Sequence, residues 1–212
     1  MADNYLEYRQ EELEKAHKTT IRRTNPSLDT LLHRNRSYRG YDISRKVTED
    51  ELKEIVSACT LTASGMNRQP LRFRLVCGDE ASKVLPLITL GGALPEEGLP
   101  KPGTEPRAFI VACSTVTEDK VACIDLGFCG QSMLLKATSM GLGGIFILNF
   151  RKNELKEALG LPLEPLAVIA IGKPAEEIYL MPTEGPSLRY YRKNGVHFVP
   201  KLTLDSLIIK KD

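Results

Sequence analysis

Two short segments hold the side chains of this chain best suited to chemistry: Asn35-Arg36-Ser37-Tyr38-Arg39 and Ser64-Gly65-Met66-Asn67-Arg68-Gln69-Pro70. The first groups two guanidiniums around a hydroxyl, a set that can surround a phosphate or another delocalised anion with charge-assisted hydrogen bonds. Alternate residues of an extended segment point the same way, so Ser37 and Arg39 share a face and Arg36 flanks it. The second segment places a hydroxyl, two amides and a glycine ahead of a proline. Gly65 permits close approach of backbone to a ligand, and Asn67 and Gln69 suit the polar edge of a flat heterocycle better than a core. Taken singly, the first segment reads as a solvated basic turn and the second as a helix-to-strand loop satisfying its own backbone. Taken together, they call for a ligand with an anion at one end and a hydrogen-bonding ring at the other.

Other candidates are weaker. Gly141-Leu142-Gly143-Gly144 could bring backbone N–H groups against a ligand, and it also has the form of a helix C-cap and turn. His17, His33 and His197 are far apart in sequence and read as surface or packing residues, with no Ser/His/Asp or Cys/His set among them. Lys201 is an exposed cation by default and a phosphate ligand only if the tail folds back. The five cysteines (Cys59, Cys77, Cys113, Cys123 and Cys129) form no CxxC pair and sit in apolar stretches. That usage favours buried free thiols in a reducing cytoplasm over disulfides or zinc, so no metal site is expected. No GxGxxG follows a strand and no GxxxxGK[ST] occurs, which leaves Rossmann and Walker nucleotide sites unsupported.

The elements that must position these groups follow from periodicity. Residues 4–20 read as a polar helix with little core of its own, ended by Pro26. Ser27-Leu28-Asp29 opens a second helix, with Leu28, Leu31 and Leu32 on one face, that leads directly into Arg36-Ser37. Thr48 and Glu51 have the spacing of a capping box, and Leu52, Ile55, Val56 and Cys59 continue at helical spacing over 49–60. Phe73, Leu75 and Cys77 alternate as a strand, and Ala81–Leu87 is a short helix. Leu90–Pro106 is a Gly/Pro-rich loop long enough to serve as a flexible lid. Ala108–Cys113, Ile145–Leu148 and Leu166–Ile171 are buried strands. Glu118–Met140 is the longest helix, apolar on most of its circumference and therefore central or at an oligomer interface. Arg151–Leu159 is a helix capped by Gly160. Residues 175–200 read as mostly irregular, and Ser206–Ile209 as an isolated strand.

Helices interleaved with about five short strands, on both faces of one sheet, make a three-layer α/β or α+β domain. The chain has 212 residues, enough for one well-buried core: an N-terminal helical extension over 1–27 and a domain with a C-terminal arm over 28–212. Its 42% apolar and 26% charged content are those of a soluble globular protein, and a net charge of +2 leaves no polyanion footprint, so no nucleic-acid partner is expected. No run has the roughly 18 apolar residues of a membrane span, and Met1–Lys18 lacks the pattern of a signal peptide, so a cytoplasmic protein is expected.

The two segments, with Gly141-Leu142-Gly143 after the long helix and Ile171-Gly172-Lys173-Pro174 after a strand, resemble the nitroreductase family of FMN-dependent oxidoreductases, whose motifs occur in this order over roughly residues 28–175. The resemblance implies an α+β, three-layer α/β/α fold around a central, mainly antiparallel sheet. It implies FMN as cofactor, with Asn35, Arg36 and Ser37 at its phosphate and Arg39 at the N1/O2 end of the isoalloxazine. Ala63, Ser64, Gly65 and Asn67 would line the flavin from the other subunit of a homodimer. Gly143 and Gly144 would lie near ring or phosphate, and Lys201 would join the phosphate site. Electrons would pass from NAD(P)H to a nitroaromatic, quinone or similar acceptor by a ping-pong mechanism, with no catalytic side chain beyond Arg39's tuning of N1. A specialised member acting on flavin itself or on a halogenated substrate, and a non-catalytic FMN sensor or storage protein, are the alternatives. Asn35 stands where the family has its first arginine, Ala63 where proline is usual and Leu71 where tryptophan commonly follows Gln-Pro.

Overall fold

The computed structural model describes residues 26–92, 94 and 97–209; the polar helix expected over residues 4–20 lies outside them. Helix α1 (Leu28–Arg34) starts at Ser27, whose hydroxyl accepts a hydrogen bond from the Thr30 N–H. Helix α2 (Glu49–Ser57) carries the complete capping box of Thr48 and Glu51. Strand β1 (Leu71–Cys77) and the short helix α3 (Ala81–Val84) come next. They are followed by β2 (Ala108–Ser114), the long helix α4 (Lys120–Ser139), β3 (Gly143–Ile147), α5 (Lys152–Ala158) and β4 (Glu164–Gly172). The chain ends in β5 (Ile178–Thr183), β6 (Tyr191–Lys193), β7 (Val196–Leu202) and the single-turn helix α6 (Leu204–Leu207).

Strands β1, β2, β4 and β3 form the central sheet in that order, every pairing antiparallel. Side chains alternate across it as a strand's period of two requires. Phe109 and Val111 of β2, with Val168 and Ala170 of β4, pack toward Val84 of α3 and Leu155 of α5. Ala108 and Ile110, with Ile169 and Ile171, pack toward Leu52 and Ile55 of α2 and Met133 and Ala137 of α4. Helices on both faces bury every residue of β2, so its sequence is a continuous apolar run although its neighbours are antiparallel. The three-layer α+β architecture expected from the sequence is the one observed.

Two expectations need correction. Residues 175–200 are not irregular: β5, β7 and β6 form a second, three-stranded sheet. Ser206–Ile209 is not a strand, since residues 204–207 form one helical turn. Within the Leu90–Pro106 loop, Leu90 and Leu94 are buried and Leu99 packs on the core.

Candidate functional site

The Arg-Ser segment is held at the edge of the central sheet. Ser37 bridges Gly144 of β3 in parallel, with the Tyr38 N–H donating to the Gly144 carbonyl at 3.2 Å. The glycines of β3 are needed for this docking. A β-carbon at Gly143 would meet the Tyr38 ring at 2.7 Å, and one at Gly144 would collide with the Ala170 carbonyl. Both glycines therefore seat the segment. Neither lines the cavity that the segment faces.

That cavity, about 440 Å³, is walled by Asn35, Arg36, Ser37 and Arg39 on one side and by β5 and β7 on the other. Gln131 of α4, Tyr190, His197 and Lys201 complete its polar lining. Arg39 is only 8% exposed; its Nη1 donates to the Ser37 carbonyl at 2.9 Å, and its guanidinium lies 5.2 Å from the centre of the Tyr190 ring. Such a cation–π contact attracts the guanidinium to the ring face. The Arg36 Nη2 donates to the Leu32 carbonyl, and burial lowers this guanidinium from its usual pKa while the nearby Tyr38 hydroxyl raises it. Glu176 is the acid beside the site, but it is already engaged. It accepts from the Arg39 N–H and from Arg192, whose side chain is as enclosed as its own.

Among the described residues, the side chains of Arg36, Arg39 and Lys201 have no carboxylate partner, and the buried Nε atoms of Arg36 and Arg39 make no hydrogen bond. Buried N–H groups of this kind are ordinarily satisfied. An anion in the cavity would satisfy the site's charge and draw on its donors, so the residues fit a phosphate-bearing ligand.

The second segment lies elsewhere. Asp125 of α4 is fully buried; its carboxylate accepts from the Ser64 hydroxyl at 2.6 Å and from the Gly65 N–H at 2.8 Å. Arg68 is clamped to Asp119 at the start of the same helix at 2.8 Å. A β-carbon at Gly65 would strike Val121, so only glycine lies this close to α4. Between these clamps Met66 and Asn67, and just after them Gln69, hold positive φ of 53°, 52° and 47°. Left-handed backbone at non-glycine residues costs of order 1–3 kcal/mol each, and such strain clusters at functional turns. Ala63 and Ser64 line a separate cavity of about 200 Å³ with Cys59, Asp125 and Cys129. Gly65 and Asn67 lie outside both cavities.

Asp125 and Gln131, one in each site, are six residues apart on α4. At 3.6 residues per turn they are separated by about 9 Å along the axis and about 240° around it. One chain therefore brings Asn35, Arg36, Ser37, Arg39 and Lys201 together, while Ala63, Ser64, Gly65 and Asn67 sit on another side of the same helix.

Sequence reasoning missed Tyr190 and His197 as parts of the cavity wall. The signal was there: Asn194-Gly195, with φ of 52° and 80°, is a two-residue hairpin turn flanked by Tyr191–Lys193 and Val196–Phe198. Asp125 and Glu176 gave no comparable signal, since each acts on a partner distant in sequence.

The family model described as the nitroreductase family matches residues 32–98 and 100–173, which hold both segments. A protein of Archaeoglobus fulgidus, provisionally named an NADH dehydrogenase/NAD(P)H nitroreductase, is 26% identical over 69% of this chain and 85% of its own length. Among solved structures, a nitroreductase family protein from Clostridium novyi NT is 22% identical over 70% of this chain and 86% of that one, with a TM-score of 0.58. An FMN-dependent nitroreductase from Clostridium difficile R20291 is likewise 22% identical, over 69% of this chain and 87% of that one, with a TM-score of 0.56. No helix among the described residues is long and apolar enough to cross a membrane. With two segments in the family's order, a central antiparallel sheet that docks the first of them, and a family match over most of the chain, this protein belongs to the nitroreductase family and is an oxidoreductase enzyme.

Proposed function

We propose that this protein is an FMN-dependent NAD(P)H oxidoreductase that reduces electron-poor acceptors such as nitroaromatics or quinones. The observation that carries the reading is the cavity of Arg36 and Arg39, one half-buried and one buried guanidinium that have no acid partner among the described residues and whose buried Nε–H groups are unused. FMN, when bound, supplies two-electron chemistry at N5 of its ring. Arg36, Ser37 and Lys201 would hold its phosphate, with Asn35 contributing an amide in place of a further cation. Arg39, fixed by Ser37 and Tyr190, would set positive charge beside the N1 end of the ring and so favour the reduced, anionic form. No side chain needs to move a proton for hydride transfer.

The strained Ser64–Gln69 turn would line the ring from a second copy of the chain, giving a homodimer with two sites. Its support is the apolar surface around that turn: Met66 is 81% exposed and Phe128 of α4 is 50% exposed, with Leu61 and Ile124 nearby in sequence and also open. Large apolar groups grouped in this way mark an interaction surface. Gly143 and Gly144 serve the site by seating Ser37 and Tyr38.

The test has three readouts on the purified protein. It should show flavin absorbance bands or take up added FMN, sediment as a dimer at micromolar concentration, and give parallel double-reciprocal lines with NAD(P)H and a quinone. Protein that refuses FMN removes the reading; convergent lines remove the ping-pong order; a monomer with a full complement of flavin removes the shared site.

A further inference from the structure

We infer that His197 is a ligand contact at the Arg39 end of the cavity, offering Nδ1 to the ring or polyol portion of the flavin rather than to its phosphate; this rests on the flavin reading above. His197 is 2% exposed, lines the cavity, and its Nδ1 has no hydrogen-bond partner among the described residues. A position that needed only packing would take an apolar side chain; a buried imidazole with an open nitrogen is unfavourable until something polar meets it.

The orientation of β7 is fixed from both sides. On its outer face Phe198 lies between Tyr179 at 6.0 Å and Tyr191 at 5.3 Å, their rings nearly parallel. Alternation then turns His197, Val199 and Lys201 toward the cavity. The His197 ring meets the Tyr190 ring edge-on at 5.1 Å, and Tyr190 in turn carries the Arg39 guanidinium. Lys201 is four residues further along β7, about 13 Å away at strand rise. The cation suited to a phosphate and the open imidazole nitrogen therefore serve opposite ends of an elongated ligand. Arg39, Arg192 paired with Glu176, and Glu97 of the Leu90–Pro106 loop are the charges that bear on the ring. Burial, and after it the two arginines, keep it neutral, so it contacts the ligand by hydrogen bonding rather than by charge. This strand lies beyond the segment that matches the family model, so the contact belongs to the C-terminal sheet of this chain.

The experiment titrates FMN and riboflavin, by flavin fluorescence, into flavin-stripped wild type, H197F, H197N and K201A. Phenylalanine keeps the edge-on packing and removes the nitrogen; asparagine returns a polar atom near the place of Nδ1. H197F should bind both flavins about tenfold more weakly, the loss of one hydrogen bond, and H197N should stay within about threefold of wild type. K201A should lose affinity for FMN and not for riboflavin. Equal binding by H197F, a loss confined to FMN, or failure of H197N to recover binding would each overturn the assignment. Cooperative melting of each variant checks that it folds. Independently of any variant, the His197 Nδ1 resonance of ¹⁵N-histidine-labelled wild type should move on adding riboflavin, and an unmoved resonance in bound protein overturns the contact. Wild type that binds neither flavin refutes the flavin reading itself, an outcome distinct from these.

Discussion

Asp125 and Ser64 are joined by a 2.6 Å hydrogen bond in which the serine hydroxyl donates to a fully buried carboxylate. The other oxygen of that carboxylate accepts from the Gly65 N–H, so one side chain from the second turn of α4 holds the start of a tight corner. The strain at Met66, Asn67 and Gln69 persists because this anchor and the Arg68–Asp119 pair over-determine the turn. In D125A the two donors would lose a charged acceptor, at about 1.5–3 kcal/mol each. We expect a loss of about 3–5 kcal/mol by urea unfolding, and a smaller one of about 1–2 kcal/mol for D125N, which keeps one acceptor. An unfolding midpoint for D125A equal to that of wild type would show that the turn does not depend on Asp125.

Under the proposed function Arg39 would act on the flavin's electronics, its guanidinium being held from two sides. Tyr190 covers one face and the Ser37 carbonyl holds Nη1. R39A should lower the two-electron midpoint potential of bound FMN by roughly 30–60 mV, equivalent to about 1.4–2.8 kcal/mol. Spectroelectrochemical titration checks this, and an unchanged midpoint would remove Arg39 from the tuning role.

The Glu176–Arg192 pair ties β6 to the segment between β4 and β5. Its side chains are only 8% and 11% exposed, and the second carboxylate oxygen accepts from the Arg39 N–H. Removing one member of an enclosed pair strands the other charge, typically at 3–5 kcal/mol, whereas replacing both by neutral groups of similar size costs much less. R192M should therefore destabilise by about 3–5 kcal/mol and loosen the β6–β7 hairpin in hydrogen exchange. The double variant E176Q/R192M should recover most of that loss. A double variant no better than R192M would mean that the pair acts through packing.

His197 gives the fold a pH dependence with a defined sign. Burial, then Arg39 and Arg192, lower its pKa from 6.5 to about 4. The unfolded chain therefore binds a proton that the folded chain refuses between those values, and stability contributed by the neutral ring is complete above about 6.5 and lost as pH falls toward 4. Thermal melts of wild type should drop a few degrees further than those of H197F between pH 7 and pH 4.5. Parallel curves would show that the imidazole is free to protonate in the folded state.

Local chemistry made much of this protein legible before any coordinates. The capping box at Thr48 and Glu51, the apolar runs of β2 and β4, and the long helix α4 are each determined by residues within a few positions of one another. The arginine-serine and serine-glycine segments likewise carried their donor chemistry in the sequence. The Asn194-Gly195 turn was equally local, and reading it would have placed β6 and β7.

Tertiary structure alone decided which groups meet. Asp125 finds Ser64 across 61 positions, and Glu176 reaches the Arg39 N–H across 137. Those pairings depend on how sheet and helices pack, which no short window encodes. The same packing assigns the two chemical segments to different sides of α4 and turns a histidine that looked like filler into the wall of a basic cavity. Period and caps are written in neighbouring residues; a site is written in the distances between elements, and only the folded chain sets those.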